Sequence, residues 1–210
     1  MMNMRIENYG WNSEQAPHSC GYLTPAVLAW LERLQPKRVL DLGAGNGALC
    51  RVMVEAGYEV VGVEPDAEGV EIARRQCPNA QFYQLGVDDS TDAVTRDHPE
   101  GFDIVVSTEV LEHLYAPRRL PAFAHAVLRR GGHLLVTTPY HGYLKNLMIS
   151  LAGAWDRHAD PLWDGGHIKL FSRRTITRLL NEAGFRIVSF GGVGRLPYLW
   201  KSMVVLAVKE

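Results

Sequence analysis

At 210 residues with 47% apolar content, the chain is long enough to bury a full core in one α/β unit. Its formal charge is −1, with 22 basic against 23 acidic side chains, so there is no overall electrostatic reason to expect nucleic acid or an anionic membrane as partner. Cys20, Cys50 and Cys77 are an odd, unpatterned set, which argues against a disulfide framework or a zinc site. The first seven residues have no apolar core for a signal peptide. The most apolar later stretch, 144–155, is too short to span a bilayer and contains Lys145. A cytoplasmic location is the resulting expectation.

In chain order, a helix with an apolar face is predicted over 25–34, a strand over 38–42, and a helix over 49–56 stopped by Gly57. A second strand over 59–63 ends at Glu64-Pro65-Asp66, a helix follows over 70–76, and a third strand over 81–85 runs into Gly86-Val87-Asp88-Asp89. The continuous apolar run of the fourth strand, 102–107, suits a buried central position. A helix over 120–129 is ended by Gly131-Gly132, and a fifth strand covers 133–137. Ser172 is an N-cap for a helix through Ala183, with Gly184 as its stop. This alternation predicts a Rossmann-like, doubly wound α/β sheet. Two last strand-like runs, 185–190 and 203–208, have no helix clearly between them, which favours an antiparallel pair at the edge of a seven-stranded sheet.

The chain reads as a single domain over 1–210, with residues 1–24 as an N-terminal lid. The long interruption at 139–169 follows the carboxyl end of a central strand, where ligands sit in such sheets, and reads as a substrate-side insertion. Its Leu144, Leu147, Met148, Ile149 and Leu151 suit either core packing or an amphipathic contact with a membrane or partner. Trp155, Trp163, Tyr140 and Tyr143 either line an aromatic substrate pocket or pack the insertion onto the sheet.

The chemistry begins where the first strand ends, at Asp41-Leu42-Gly43-Ala44-Gly45-Asn46-Gly47. Three glycines at alternate positions let the backbone approach a ligand closely, and the helix that follows presents unpaired N–H groups. The bare pattern G-x-G-x-x-G/A of nicotinamide folds is also satisfied. A pyrophosphate, however, gains nothing from a neighbouring carboxylate, whereas the ammonium of S-adenosylmethionine (SAM) does, so Asp41 favours SAM. Glu64 at the second strand end suits the hydroxyls of a ribose, with Pro65 beside it. Gly86, Val87 and Asp88 stand where adenine would be read, and Thr108 stands near the sulfonium. After the fourth strand, Glu109, Glu112 and His113 fall at i, i+3 and i+4, one face of a helical turn. Two carboxylates and an imidazole there form either a hydrogen-bonded cap or a site for Mg²⁺, Mn²⁺ or Fe²⁺.

With these residues in view, the chain resembles the class I SAM-dependent methyltransferases, and within them the ubiquinone-biosynthesis (UbiG-type) O-methyltransferases. The resemblance runs from Val39 to Phe171. It rests on Asp41 to Gly47, Glu109-Val110-Leu111-Glu112-His113, Gly131-Gly132 and His167-Ile168-Lys169-Leu170-Phe171. It implies cofactor contacts from Asp41, Gly43, Ala44, Gly45, Gly47, Glu64, Pro65, Gly86, Val87, Asp88 and Thr108. It also implies, through the small-RNA 2′-O-methyltransferases that share the motif, a divalent-metal set of Glu109, Glu112, His113 and His167. The expected activity is methyl transfer from SAM to a hydroxyl of a small molecule. His113 or His141 is the general base where no metal acts. N-, C- or S-methylation of a small metabolite or peptide, RNA 2′-O-methylation, and a non-catalytic SAM-binding module are the alternatives.

Overall fold

The computed structural model describes residues 11, 13–163 and 166–210. The strands are β1 (Arg38–Leu42), β2 (Glu59–Glu64), β3 (Gln81–Gln84), β4 (Phe102–Thr108), β5 (Leu128–Pro139), β6 (Phe185–Val193) and β7 (Ser202–Lys209). The helices are α1 (Cys20–Leu34), α2 (Ala48–Glu55), α3 (Ala67–Gln76), α4 (Asp92–Asp97), α5 (Arg119–Val127), α6 (Tyr143–Leu151) and α7 (Arg173–Glu182).

One seven-stranded sheet runs in the order β3-β2-β1-β4-β5-β7-β6. Strands β1 to β5 are parallel, and β7 lies antiparallel between β5 and β6. The chain winds outward from β1 to β3 and then returns to place β4 on the other side of β1. That reversal opens a crevice at the carboxyl ends of β1 and β4. The β6–β7 link is too short for a crossover helix, so β7 returns antiparallel as expected.

Burial on both faces follows from alternation along each strand. Leu40 and Leu42 of β1 join a core with α4, α5 and α7, through Val94, Phe123 and Leu180. Val39 points to the opposite face, where Val27, Cys50, Met53 and Ala73 of α1, α2 and α3 cover the sheet. Two helix starts are fixed by side chains. Asp66 accepts the Gly69 N–H at 3.0 Å to cap α3, and Ser172 and Thr175 form a reciprocal capping box at α7.

Several boundaries differ from the sequence reading, and α4 had no counterpart in it. Helix α5 stops at Val127, because Leu128 already pairs with Phe102. The ladder then skips to Ile104 with His133, so Gly131-Gly132 lies in an irregular stretch of β5 rather than in a helix stop. Helix α1 begins at Cys20 and contains Pro25, whose missing N–H forfeits one bond near the exposed first turn. The 139–169 stretch holds α6, with Lys145 and Ile149 inward and Tyr143, Leu144, Leu147, Met148 and Leu151 outward. Among the described residues no helix is long and apolar enough to cross a membrane.

Candidate active site

A cavity of about 1090 Å³ opens in the crevice. It is at the upper end of small-molecule sites, ~300–1,000 Å³, and has room for a cofactor and a second small molecule. Gly43, Gly45 and Gly47 all take positive φ, at 89°, 54° and 81°. Gly43 and Gly45 line the cavity together with Ala44, whereas Gly47 does not. A Cβ on Gly47 would lie 2.8 Å from Ala73 Cα, so this glycine serves the close approach of α2 to α3. The indole of Trp11 lies over Gly45 and Gly69 and closes one wall.

Asp41 is 1% exposed, and burial pushes its carboxyl up to about 7. Its Oδ2 accepts from the Cys50 thiol at 3.2 Å, and its Oδ1 has no hydrogen-bond partner among the described residues. An orphaned buried carboxylate oxygen beside a glycine cradle fits the ammonium end of SAM. Glu64 is likewise raised to about 7 by burial. Its oxygens accept from Gly45 N at 2.8 Å and Asp66 N at 3.0 Å, which ties β2 to the glycine loop and leaves further lone pairs for a ribose. Pro65, Gly86, Val87, Asp88 and Thr108 also line the cavity. Asp88 stands 3.5 Å from Arg119 of α5.

The segment after β4 departs from the helical turn. Glu109 takes a left-handed φ of 54°, and only Leu111–His113 form a short 3₁₀ turn, so the expected i, i+3, i+4 face is not built. Glu109 turns toward β5 and β7, accepting from Thr137 Oγ1 at 2.8 Å and Ser202 Oγ at 3.0 Å. Because Ser202 gives its one proton to Glu109, Tyr22 of α1 is the donor in its 3.3 Å contact with Ser202. Ligand atoms of Glu112, His113 and His167 lie within 4.8 Å of one another, and Glu109 is outside that group. Glu112 is fully buried, with Oε2 accepting from Thr138 Oγ1 at 2.9 Å and Oε1 lacking a hydrogen-bond partner among the described residues. Burial and the neighbouring Glu109 charge hold its carboxyl well above the usual range. Burial pushes His167 down to about 4, which keeps the ring neutral and its nitrogen lone pair available. The carbonyl of Gly166 lies 3.2 Å from His113 Nδ1, and Trp163 packs edge-on to the His113 ring. The N–H groups of Ile168 and Lys169 both donate to the Glu112 carbonyl, which anchors the His167 segment beside the motif.

His141 does not line the cavity; its Nδ1 lies 3.2 Å from Asn146 Oδ1 and its ring stacks on Trp155. Of the four aromatic residues that either line an acceptor pocket or pack the insertion, Trp163 alone reaches the cavity. Tyr140 packs on Trp200 in the core, and Tyr143 is 84% exposed. Sequence reasoning placed His18, Cys20 and Tyr22 only as part of the N-terminal lid and did not single out Arg119; all four line the cavity. A helix starting at Cys20 rather than Pro25 is the signal that would have placed the first three of them.

A methyltransferase domain family model matches residues 14–190. The ubiquinone biosynthesis O-methyltransferase of Burkholderia pseudomallei (strain 1710b) is 26% identical over 185 residues, covering 83% of this chain and 77% of that protein. The enzyme of the same name from Actinobacillus pleuropneumoniae serotype 5b (strain L20) is 32% identical over 140 residues, covering 63% and 59%. Among solved structures, magnesium protoporphyrin IX methyltransferase from Synechocystis PCC 6803, with bound SAH, superposes with a TM-score of 0.67 at 17% identity, covering 90% of this chain and 82% of that one. That likeness establishes the fold. With a glycine cradle, an orphaned acidic strand end and a family match over most of its length, this chain belongs to the methyltransferase domain family and is a SAM-dependent methyltransferase.

Proposed function

We propose that the protein methylates a hydroxyl of a small molecule, with a divalent cation held by Glu112, His113 and His167. The observation that carries this reading is the buried, unpartnered Oε1 of Glu112, 3.9 Å from His167 Nε2 beside the cavity. One carboxylate and two imidazoles suit Mn²⁺ or Fe²⁺, and Mg²⁺ with added waters. The names of the curated relatives, ubiquinone biosynthesis O-methyltransferases, support oxygen as the acceptor atom.

When bound, SAM supplies an already activated methyl group, and the protein's task is alignment and removal of the acceptor's proton. A cation at the Glu112 site supplies Lewis acidity that favours ionisation of a hydroxyl. Asp41 and Glu64 hold the two polar ends of the cofactor, while Gly43 and Gly45 leave room for it. Thr108 and Glu109 line the cavity where β4 ends, next to His113. Trp11 and the start of α1 serve as the N-terminal lid; residues 1–10 and 12 of that segment lie outside the described residues. The outward leucines of α6 support peripheral contact of the 139–169 insertion with a membrane surface.

The test is calorimetric titration of Mn²⁺ and Mg²⁺ into protein saturated with S-adenosylhomocysteine (SAH), repeated with Glu112→Ala. Binding that the substitution removes is expected. No heat with wild type, or equal heat with the variant, overturns the metal-assisted reading.

A further inference from the structure

We infer that Cys50 is a positioning residue for the cofactor: its thiol fixes the plane of the Asp41 carboxylate and leaves Oδ1 directed to the ligand's ammonium group. The inference deepens the reading of Asp41 as the ammonium partner and rests on it.

The argument begins with where the hydrogen bonds go. A carboxylate at the end of β1 stands among the N–H groups of the glycine loop, yet five of these are engaged elsewhere. Gly43 N and Ala44 N donate to the Val63 carbonyl at 2.8 and 3.0 Å, and Gly45 N donates to Glu64 Oε2. Gly47 N donates to the Ala44 carbonyl, and Ala48 N to Asn46 Oδ1. Asp41 is left with the Cys50 thiol at 3.2 Å on Oδ2. Cys50 is itself fully buried in the first turn of the loop's own helix, so the contact is fixed by the packing of α2 on β1.

A thiol is a weak donor. It holds the orientation of the carboxylate without neutralising its charge, and the opposite oxygen stays unsatisfied until a cationic group arrives. The titratable groups facing Asp41 are Cys50 from α2, Cys20 from α1 and Glu64 from β2, all of them acids. Burial and the Asp41 charge hold the Cys50 thiol well above its usual range, so it keeps the proton it donates. A hydroxyl in its place is a stronger donor and stabilises the ionised carboxylate more, and a methyl group does not stabilise it at all.

The test is calorimetric binding of SAH to wild type, Cys50→Ser, Cys50→Ala and Asp41→Asn between about pH 5.5 and about pH 8.5. Adenosine, which has no ammonium, serves as the second ligand. SAH affinity is expected to fall toward low pH with midpoints in the order Ser below wild type below Ala. Cys50→Ala is expected to bind SAH about 3–10-fold more weakly at neutral pH, with adenosine affinity unchanged throughout. A common midpoint for the three thiol-site proteins overturns the inference. So does a parallel loss of adenosine affinity, which marks Cys50 as a packing residue only. If Asp41→Asn binds SAH as wild type does, the ammonium reading itself fails, and that result is separate from the other two. Cys50→Ser keeps the side-chain shape and a donor at the same position, and decides the question even where Cys50→Ala folds poorly.

Discussion

Replacing Asp41 by asparagine is expected to stabilise the ligand-free protein while removing its affinity for SAH. Asp41 is 1% exposed, and its carboxyl is raised from 3.8 to about 7 by burial. The folded state therefore prefers the protonated acid. Stability is full below the unfolded pKa, declines as pH rises from there to about 7, and is level above that. The shift of about three units, at ~1.36 kcal/mol each, sets an upper limit of about 4 kcal/mol on the cost of ionised Asp41 at pH 8. Asparagine avoids that cost but leaves amide protons where Oδ1 now has no partner, a loss of ~1–3 kcal/mol. The net gain at pH 8 is about 1–3 kcal/mol, and a protein of this size gains ~2–4 °C in Tm per kcal/mol. Scanning calorimetry of both proteins at pH 8 and at pH 5 measures it. At pH 5 the gain should vanish, because the wild-type acid is then neutral. A variant less stable than wild type at pH 8, or a difference that ignores pH, would refute the reasoning.

Gly47→Ala should cost about 2–5 kcal/mol in denaturant unfolding. A left-handed backbone costs ~1–2 kcal/mol and overlap with Ala73 another ~1–3; a change below about 1 kcal/mol would contradict the packing account. Glu109→Gln should leave Mn²⁺ affinity within a few-fold, since its oxygens face Thr137 and Ser202, while Glu112→Gln loses roughly tenfold or more. Equal losses from both, read by calorimetry, would restore Glu109 to the ligand set. Leu147→Glu with Leu151→Glu should abolish co-sedimentation with phospholipid vesicles and leave SAH affinity unchanged, because both side chains point outward from α6. Wild type failing to co-sediment would remove the membrane contact.

The parallel part of the sheet was legible because its central strands β1 and β4 are buried on both faces and its strands are bounded by turn residues, and β1 falls at the predicted residues. The glycine loop was legible because positive φ at close spacing admits few other residues. Four features were hidden for identifiable reasons. Helix α6 places its lysine inward and its leucines outward, so apolar periodicity gave no correct burial face. The left-handed turn at Glu109 breaks the spacing argument, and local sequence gives no sign of it: Thr137 and Ser202, which hold the carboxylate, lie far along the chain. The tail of α5 has helical propensity, but pairing of Leu128 with Phe102 overrides it. Cavity residues from the start of α1 depend on contacts such as Tyr22 with Ser202, which no motif encodes.

The most direct measurement is the transfer of labelled methyl from SAM to a panel of catechols, single phenols, amines and thiols, each with Mn²⁺ or Mg²⁺ and with a chelator. The account predicts label on an oxygen of the catechols, lost with the chelator and lost in Glu112→Ala. Transfer confined to amines or thiols, or transfer to oxygen indifferent to the chelator, would contradict it.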